Sequence, residues 1–433
     1  MMTKNELPVG WVRCNLGDIF NTSSGGTPSR KEPSYYGGNI PWLKSGELED
    51  NVVTEAEESI TQSALEHSSA KIFPRGSILL ALYGATVGKV GKLDFDSATN
   101  QAICCIYPCK FFNMDLLFYY LLSKRAFLIN SGKGGAQPNI SQDIVKKLEL
   151  PLPPLAEQKR IVGKIEELFA EVDKGIDLLK QKQAELKKYR QSALSAAFSG
   201  KLYKTTEWQT VQLKEICDVN PKTEIPSFSD EEIVSFLPMP AVEAEINSYQ
   251  EEETGYKKVK KGYTKFQNKD VLFAKITPCM ENGKGCIVDN LRKGVGFGST
   301  EFHVLRSNGR VLPKLLILFV LSLNFRKEAK MHMTGAVGQQ RVPADFIKNH
   351  TFLLPTLPEQ EQIVAEIEQR FEKADILEKS IENALESAEK LKQSILKKAF
   401  EGKLVPQDPN DEPASVLLER IKSEQPPKKG KRK

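Results

Sequence analysis

The chain has 433 residues, of which 40% are hydrophobic and 27% are charged, a composition typical of a soluble protein with real cores. At about 100–200 residues per domain, the length predicts two to four structural units. No apolar run approaches the ~18 residues of a membrane span, and the N-terminus lacks the apolar segment of a signal peptide. We therefore expect a cytoplasmic protein.

The net charge of +5 is carried by the C-terminus. The last 13 positions contain six of the 61 Lys and Arg residues and only one of the 56 Asp and Glu residues. The rest of the chain therefore carries 55 charges of each sign. We expect the segment 405–433 to be a basic tail, partly disordered, that either contacts nucleic acid non-specifically or only adds solubility. Bulk charge alone does not indicate a DNA-binding protein.

In chain order, two globular segments, 1–152 and 205–354, echo each other. Each has a tryptophan near its start, then a strand, a Gly-rich loop and a strand (73–93 and 266–288), then an apolar helix (116–128 and 315–329). Each closes with a Gly- and Gln-containing loop (131–140 and 334–342). These patterns predict two mixed α/β globules of one fold with different loops.

An internal repeat follows each globule. Residues 153–202 align with 355–404 at a constant offset of 202 without a gap, and 19 of the 50 aligned positions are identical. The central stretches 174–187 and 376–389 share no identity but have the same length, which indicates spacers. The predicted spacers are 153–204 and 355–404.

Each spacer is predicted to be one long helix. Prolines precede Glu157 and Glu359, and Gly200 and Gly402 fit a C-terminal stop, with about 41 residues, or about 60 Å of helix, between these signals. Apolar residues recur every three or four positions, so the two helices are expected to pack together, antiparallel, along an apolar seam. The seam residues are Ile161, Ile165, Leu168, Val172, Leu179, Leu186 and Ala193 in the first helix, and Ile363, Ile367, Phe371, Ala374, Ile381, Ala388, Leu391 and Ile395 in the second.

With this arrangement the chain resembles the specificity subunit of type I restriction–modification enzymes. The resemblance is carried by PLPPLAEQKRIV (151–162), LLPTLPEQEQIVAEIE (353–368), the helix ends AFSGKL and AFEGKL, and SGGTPSR…YYGGNIPWLKSGEL (24–48). It covers nearly the whole chain. It implies a mixed α+β fold in which two target-recognition domains are separated by two long antiparallel helices, with pseudo-twofold symmetry.

The resemblance also implies a function. Each globule would read one half of a bipartite, asymmetric DNA site, and the helices would set the gap and dock two modification subunits. Those subunits would bind S-adenosylmethionine and methylate adenine, and restriction subunits using ATP and Mg²⁺ would join them, so this chain would hold no cofactor. The residues expected to bind partner subunits are Glu157, Gln158, Ile161, Phe169, Glu359, Gln360, Ile363 and Phe371.

Reading bases requires amides, guanidinium or ammonium groups and hydroxyls at groove edges, with glycines that allow close approach. The Gly-rich loops of the two globules offer these groups. The candidates are Lys44, Ser45, Glu47, Tyr83, Thr86, Lys89, Gln137 and Asn139 in the first globule, and Lys275, Thr277, Asn282, Lys284, Gln339, Gln340 and Arg341 in the second. Each of these residues is also compatible with a solvated loop.

Motifs of an enzyme are not found. GATVGKV (84–90) is too short for a phosphate-binding loop, and the four histidines form no ligand pair or catalytic triad. The run ICCIYPC (103–109) is interpreted as core, so no metal site is expected there. No catalytic residue is expected in the chain. Two other hypotheses stay open, namely a protein-binding scaffold that does not bind DNA and a self-contained enzyme.

Overall fold

The computed structural model describes residues 7–132, 139–202, 207–245, 247–336 and 338–424. The chain forms two compact units, of which unit 1 comprises Met1–Leu178 with Ala384–Lys433 and unit 2 comprises Leu179–Asn383. Each unit combines one globule with parts of two long helices. The mixed α/β class predicted from the sequence is confirmed.

The globule of unit 1 is built from short strands and one long apolar helix. Its strands are β1 Val12–Asn15, β2 Thr22–Ser24, β3 Tyr36–Leu43, β4 Asn51–Val53, β5 Glu58–Ile60, β6 Ile72–Phe73, β7 Ile78–Ala81, β8 Val90–Leu93, β9 Ser97–Thr99, β10 Ile103–Ile106 and β11 Glu149–Leu152. Its helices are α1 Leu16–Ile19, α2 Gln62–Glu66, α3 Met114–Ser131 and α4 Gln142–Lys146, and the first long helix, α5 Leu155–Phe198, follows. Short 3-10 turns occur at Pro33–Tyr35 and Ser45–Glu47.

Two main sheets form this globule, in the orders β2-β10-β7-β8-β4 and β5-β3-β9-β6, and β1 pairs with β11 where the chain enters and leaves. Strand β10 is buried on both faces: Cys104 and Ile106 pack against α3 and the start of α5, whereas Ile103 and Cys105 face a second core. Burial raises the pKa of the Cys104 thiol to about 12, so this cysteine is an apolar core residue, as its strand-like context predicts.

The globule of unit 2 repeats this construction. Its strands are β12 Gln209–Gln212, β13 Cys217–Val219, β14 Ile233–Leu237, β15 Glu252–Gly255, β16 Thr264–Gln267, β17 Val271–Ala274, β18 Gly285–Ile287, β19 Val295–Gly298, β20 Phe302–Ser307 and β21 Thr351–Leu354. Its helices are α6 Tyr256–Val259, α7 Pro313–Leu321, α8 Leu323–Met331 and α9 Ala344–Asn349, before the long α10 Leu357–Phe400 and the C-terminal α11 Ala414–Glu424 of unit 1. The 3-10 turns are Leu213–Glu215, Met239–Ala241 and Arg292–Gly294.

The strand orders β13-β20-β17-β18 and β15-β14-β19-β16 match those of unit 1 strand for strand, except that unit 2 has no counterpart of β4 among its described residues. The apolar helix differs from the sequence-based prediction, which had one helix over 315–329. It breaks at Ser322, whose extended backbone ends α7 and whose hydroxyl accepts a hydrogen bond from Phe325 N to begin α8. Two similar domains with different loops are therefore joined in one chain.

The two long helices have 44 residues each, about 66 Å at 1.5 Å per residue. Within unit 1, Glu157 accepts a hydrogen bond from Gln407, which follows the end of α10, and Asp173 pairs with Lys392 at 2.5 Å. Within unit 1 the two long helices therefore run in opposite directions. Within unit 2, Arg190 of α5 pairs with Asp375 of α10 at 2.5 Å. The antiparallel pairing predicted from the apolar seam is observed within each unit.

One predicted seam position is wrong. Leu391 is 51% exposed, and the inward place is taken by its neighbour Lys392, whose side chain is 19% exposed. The Lys392 ammonium lies 5.2 Å from the centre of the Phe169 ring. A lysine stem can fill an apolar seam while its charge pairs at the edge, and apolar periodicity alone does not reveal this.

Each long helix is attached to its own globule by a buried glutamine. The Gln158 side chain accepts a hydrogen bond from Asn113 N at 2.9 Å and donates to Pro153 O at 3.1 Å. The Gln360 side chain accepts from Leu312 N at 2.8 Å and donates to Arg310 O and Pro355 O. Asn113 and Leu312 are the N-cap residues of α3 and α7, so both glutamines tie the start of a long helix to the start of the apolar helix of its globule.

The C-terminal segment differs from the expected basic tail in its first part. Residues 414–424 form α11, whose Ala414, Leu417 and Ile421 are buried in the unit 1 core. Asp411 pairs with Arg160 at 2.5 Å, and Ala414 N donates to Gly10 O at 2.8 Å. The apolar spacing of a helix this short was obscured by the prolines around it, and the basic residues 428–433 lie outside the described residues.

Among the described residues, none of the helices has the length and apolar character needed to cross a lipid bilayer.

We predict that Gln158→Ala and Gln360→Ala each lower the free energy of unfolding by about 1–3 kcal/mol, because each leaves a partly buried backbone N–H without its acceptor. Denaturant unfolding of the purified chain measures this. The matched control is Gln181→Ala, since Gln181 is an exposed residue of α5 whose side chain, among the described residues, donates to Glu185. Its effect should stay within about 0.5 kcal/mol. Equal effects for all three variants would contradict the anchoring role.

Candidate nucleic-acid interface

In unit 1 the loops predicted to read DNA lie together. The hairpin loop between β7 and β8 contacts the 3-10 turn after β3, because the Thr86 hydroxyl donates to Ser45 O at 2.7 Å. The segment after the Gly/Gln loop joins them, since Ile140 N donates to Leu82 O at 2.8 Å. Three separate stretches of sequence therefore meet at one end of the sheet.

Two of the candidates in this group are occupied by intramolecular bonds. The Lys44 ammonium pairs with Glu57 at 2.9 Å and with Glu58 at 3.1 Å. These hydrogen bonds, chiefly the one to Glu57, raise the pKa of Lys44. The Glu47 carboxylate accepts hydrogen bonds from the backbone N–H groups of Lys44 and Glu57. Both residues therefore shape their loop, and two of the three donors of the Lys44 ammonium are engaged within the chain.

The remaining candidates of unit 1 differ in their surroundings. Tyr83 packs partly against the core, Ser45 and Lys89 are half-buried, and Asn139 is exposed. Gln137 lies outside the described residues.

In unit 2 the corresponding loops also meet. Thr277 N donates to Gln340 O at 3.0 Å, and Val342 N donates to Lys275 O at 2.9 Å. Ile276 and Arg341 form an antiparallel bridge. The β17–β18 hairpin loop and the loop 334–341 therefore form one surface, which is the counterpart of the unit 1 cluster.

Several candidates of unit 2 are also engaged. The Arg341 guanidinium makes two bonds to the Glu301 carboxylate, at 2.9 and 2.8 Å, and this interaction raises the Arg341 pKa. The Lys284 ammonium donates to Met239 O at 3.1 Å. Asn282 and Gln339 are exposed and Gln340 is half-buried. The Thr277 hydroxyl is buried and has no hydrogen-bond partner within the described part of the chain.

Six of the eight residues predicted to bind partner subunits are buried in their own unit: Glu157, Gln158, Ile161, Glu359, Gln360 and Ile363. Glu157 accepts from Trp11 Nε1 at 2.9 Å, and Glu359 accepts from Thr356 N at 2.9 Å. These contacts give the repeated string an intramolecular role at the start of each long helix, and the partner-binding assignment stays a prediction. Phe169 and Phe371 are half-buried, beneath Lys392 and Arg190 respectively.

Sequence reasoning missed three arginines close to these loops. Arg30 pairs with Glu58 at 2.8 Å and lies over the Tyr36 ring at 4.3 Å. Arg125 and Arg326 extend from the apolar helices towards the hairpin loops. Arg125 follows Lys124 and Arg326 precedes Lys327, so the sequence around the last two gave no signal that sets them apart.

Comparison with known proteins agrees with this architecture. The family model of the type I restriction modification DNA specificity domain matches residues 8–188 and 205–387. The EcoAI specificity subunit of Escherichia coli is 38% identical over 260 residues, which are 50% of this chain and 44% of that protein. The chain thus matches less than half the length of that relative.

Other relatives match along their whole length. The StySPI specificity subunit of Salmonella potsdam is 26% identical over 463 residues, covering 100% of this chain and 99% of that protein. A solved chain from a type I restriction–modification system, described for its complex assembly and conformational transition, has a TM-score of 0.69 at 20% identity over 92% of this chain and 99% of its own. The last comparison shows a common fold.

Since the family model matches both globules and most of both long helices, the chain belongs to the family of type I restriction–modification DNA specificity proteins and contains two copies of its domain.

Proposed function

We propose that this chain is the sequence-reading subunit of a type I restriction–modification complex. Each globule reads one half of a bipartite, asymmetric site on double-stranded DNA. The single observation that carries this proposal is that two domains with the same strand order but different loops are linked in one chain by two helices of equal length. A homodimer of one domain would instead require a palindromic site.

In this proposal the chain recognises DNA and its partners do the chemistry. Modification subunits bind S-adenosylmethionine and methylate adenine, and restriction subunits use ATP and Mg²⁺ to translocate and cleave DNA. The chain itself binds no cofactor. Modification subunits dock on the long helices through exposed positions, since the residues of the repeated Glu-Gln string are buried.

Because several loop residues are already bonded within the chain, we expect the DNA site to be recognised by its shape as well as by direct contacts. Lys44 and Arg341 are both paired with carboxylates, so a DNA base must offer a better arrangement than the internal partner. Such exchange penalises wrong sequences, because a wrong base does not replace the internal ion pair that must be given up.

A domain exchange tests whether each globule recognises its own half of the site. Residues 21–148 are replaced by the matching segment of another family member, which keeps the β1–β11 pair and the contact of α1 with α11. We expect one half of the methylated motif to change, measured by sequencing methylated DNA from cells with the matching modification subunits. The reciprocal exchange of 216–350, between β12 and β21, should change only the other half. A change in both halves after either exchange would refute the proposal.

The spacer role makes a separate prediction. Seven residues inserted after position 180 of α5 and after position 384 of α10 preserve the seven-residue apolar repeat and lengthen each helix by about 10.5 Å. We expect the gap in the methylated motif to grow by about 3 base pairs, at 3.4 Å each, with both halves unchanged. Seven residues inserted after Ser227, an exposed position of the second globule, should leave the gap as it is. An unchanged gap after the helix insertions would rule out the spacer role.

A further inference from the structure

An arginine of the apolar helix joins the two main loops of the first globule. The Arg125 Nε of α3 donates to Gly88 O, in the β7–β8 hairpin loop, at 3.0 Å. Its Nη2 donates to the Asp50 carboxylate, in the loop that follows the Ser45–Glu47 turn. The same Asp50 carboxylate accepts a hydrogen bond from Val90 N at 3.0 Å. One guanidinium group therefore binds both loops that contain candidate base-contacting residues.

The second globule contains the same arrangement. Arg326 of α8 donates from Nη1 to Glu281 O, in the β17–β18 hairpin loop, and from Nη2 to the Glu245 carboxylate, in the loop after the Met239–Ala241 turn. Glu245 N donates to Gly283 O at 2.9 Å. Again one arginine connects the hairpin loop with the loop that follows the second 3-10 turn of its globule.

Equivalent backbone hydrogen bonds show that these positions correspond. Ala81 N donates to Lys89 O, and Ala274 N donates to Lys284 O, both at 2.9 Å. The preceding residues, Gly88 and Gly283, are therefore equivalent. Both have left-handed backbones, with φ of +79° and +70°, and both lie against the arginine, since an added Cβ would be 3.2 Å from Arg125 Cγ or 3.1 Å from Arg326 Cζ.

The acidic partners correspond as well. Asp50 and Glu245 have φ of +63° and +66°, a conformation that non-glycine residues rarely adopt and that needs support from its surroundings. We call each set an arginine clamp: Arg125 with Asp50 in the first globule, and Arg326 with Glu245 in the second. The two clamps share the arginine, an acidic partner and a left-handed backbone at that acid. Their acids differ by one methylene, and their loops differ in sequence.

We infer that Arg125 and Arg326 are equivalent positioning residues for DNA specificity, each setting the separation of the two reading loops of its own domain. The inference rests on the proposed function. A planar guanidinium can bond to a carbonyl and a carboxylate in fixed directions at once, which a lysine ammonium cannot reproduce. Base discrimination depends on donors held in position at the groove edge, so loosening one clamp relaxes selection in one half-site.

The two clamps differ in depth. The Arg326 side chain is 5% exposed and the Arg125 side chain 33%. Arg326 Nε also donates to Leu321 O at 3.0 Å, beside the break between α7 and α8. Because weakening the partner of a buried charge is the more costly change, we expect Glu245→Gln to have a larger effect than Asp50→Asn.

The test uses the complete methyltransferase complex and a library of targets randomised at every position of both half-sites. A single base pair contributes ~5–150-fold to the discrimination between right and wrong bases. Arg125→Met should lower this discrimination by about fivefold or more at one or more positions of one half-site. The other half-site should be unchanged. Arg326→Met should do the converse. Arg125→Lys and Arg326→Lys should keep the complex folded but restore discrimination only in part.

Charge-neutral variants of the acids keep the inference falsifiable if an arginine variant does not fold. Asp50→Asn and Glu245→Gln should relax the same half-site as the arginine that each one binds. The matched controls are Arg75→Met and Arg292→Met, which remove exposed arginine–carboxylate pairs, with Asp94 and Glu253, from the same two units and should leave discrimination unchanged.

Unchanged discrimination in folded clamp variants, or equal loss in both half-sites, would overturn the inference. A wild-type complex that methylates no bipartite sequence would instead refute the proposed function, so the two failures are distinguishable.

Discussion

The structure depends on a buried glutamine at the start of each long helix. Gln158 and Gln360 bind the backbone N–H of the residue that caps the apolar helix of the adjoining globule. Without these bonds the start of each 44-residue helix would be held to its globule mainly by non-directional apolar packing. With them, the direction in which each helix leaves its globule is fixed by buried polar groups, which are costly to leave unpaired.

This constraint links packing to recognition. The anchored helix packs against the same apolar helix, α3 in unit 1 or α7 in unit 2, that lies beneath the hairpin loops. A single arginine from α3 or α8 then reaches those loops. A continuous path of packed and hydrogen-bonded groups therefore runs from the spacer helix to the reading surface within each unit. Differences between the two loops can accumulate without disturbing the helix that positions them.

The sequence was most informative where periodicity and repetition carry information. The constant offset of 202 predicted two equal helices, and the repeated order of motifs predicted two similar globules. It was least informative about polar partners. A repeated Glu-Gln string looks the same whether it binds another subunit or its own globule, and Lys44 and Arg341 give no sign that Glu57 and Glu301 neutralise them. The clamp arginines escaped notice because Arg326 lies two residues later than Arg125 when the sequences of the apolar helices are aligned from Leu116 and Leu315.

The central claim is that two unlike reading domains in one chain specify one asymmetric, two-part target. Single-molecule sequencing of methylated DNA, from a host that carries this chain with its modification subunits, measures this most directly. We predict a methylated motif with two different specific halves separated by a gap of fixed length and unspecified sequence. A continuous motif, a palindrome, or methylation that does not depend on this chain would contradict the account.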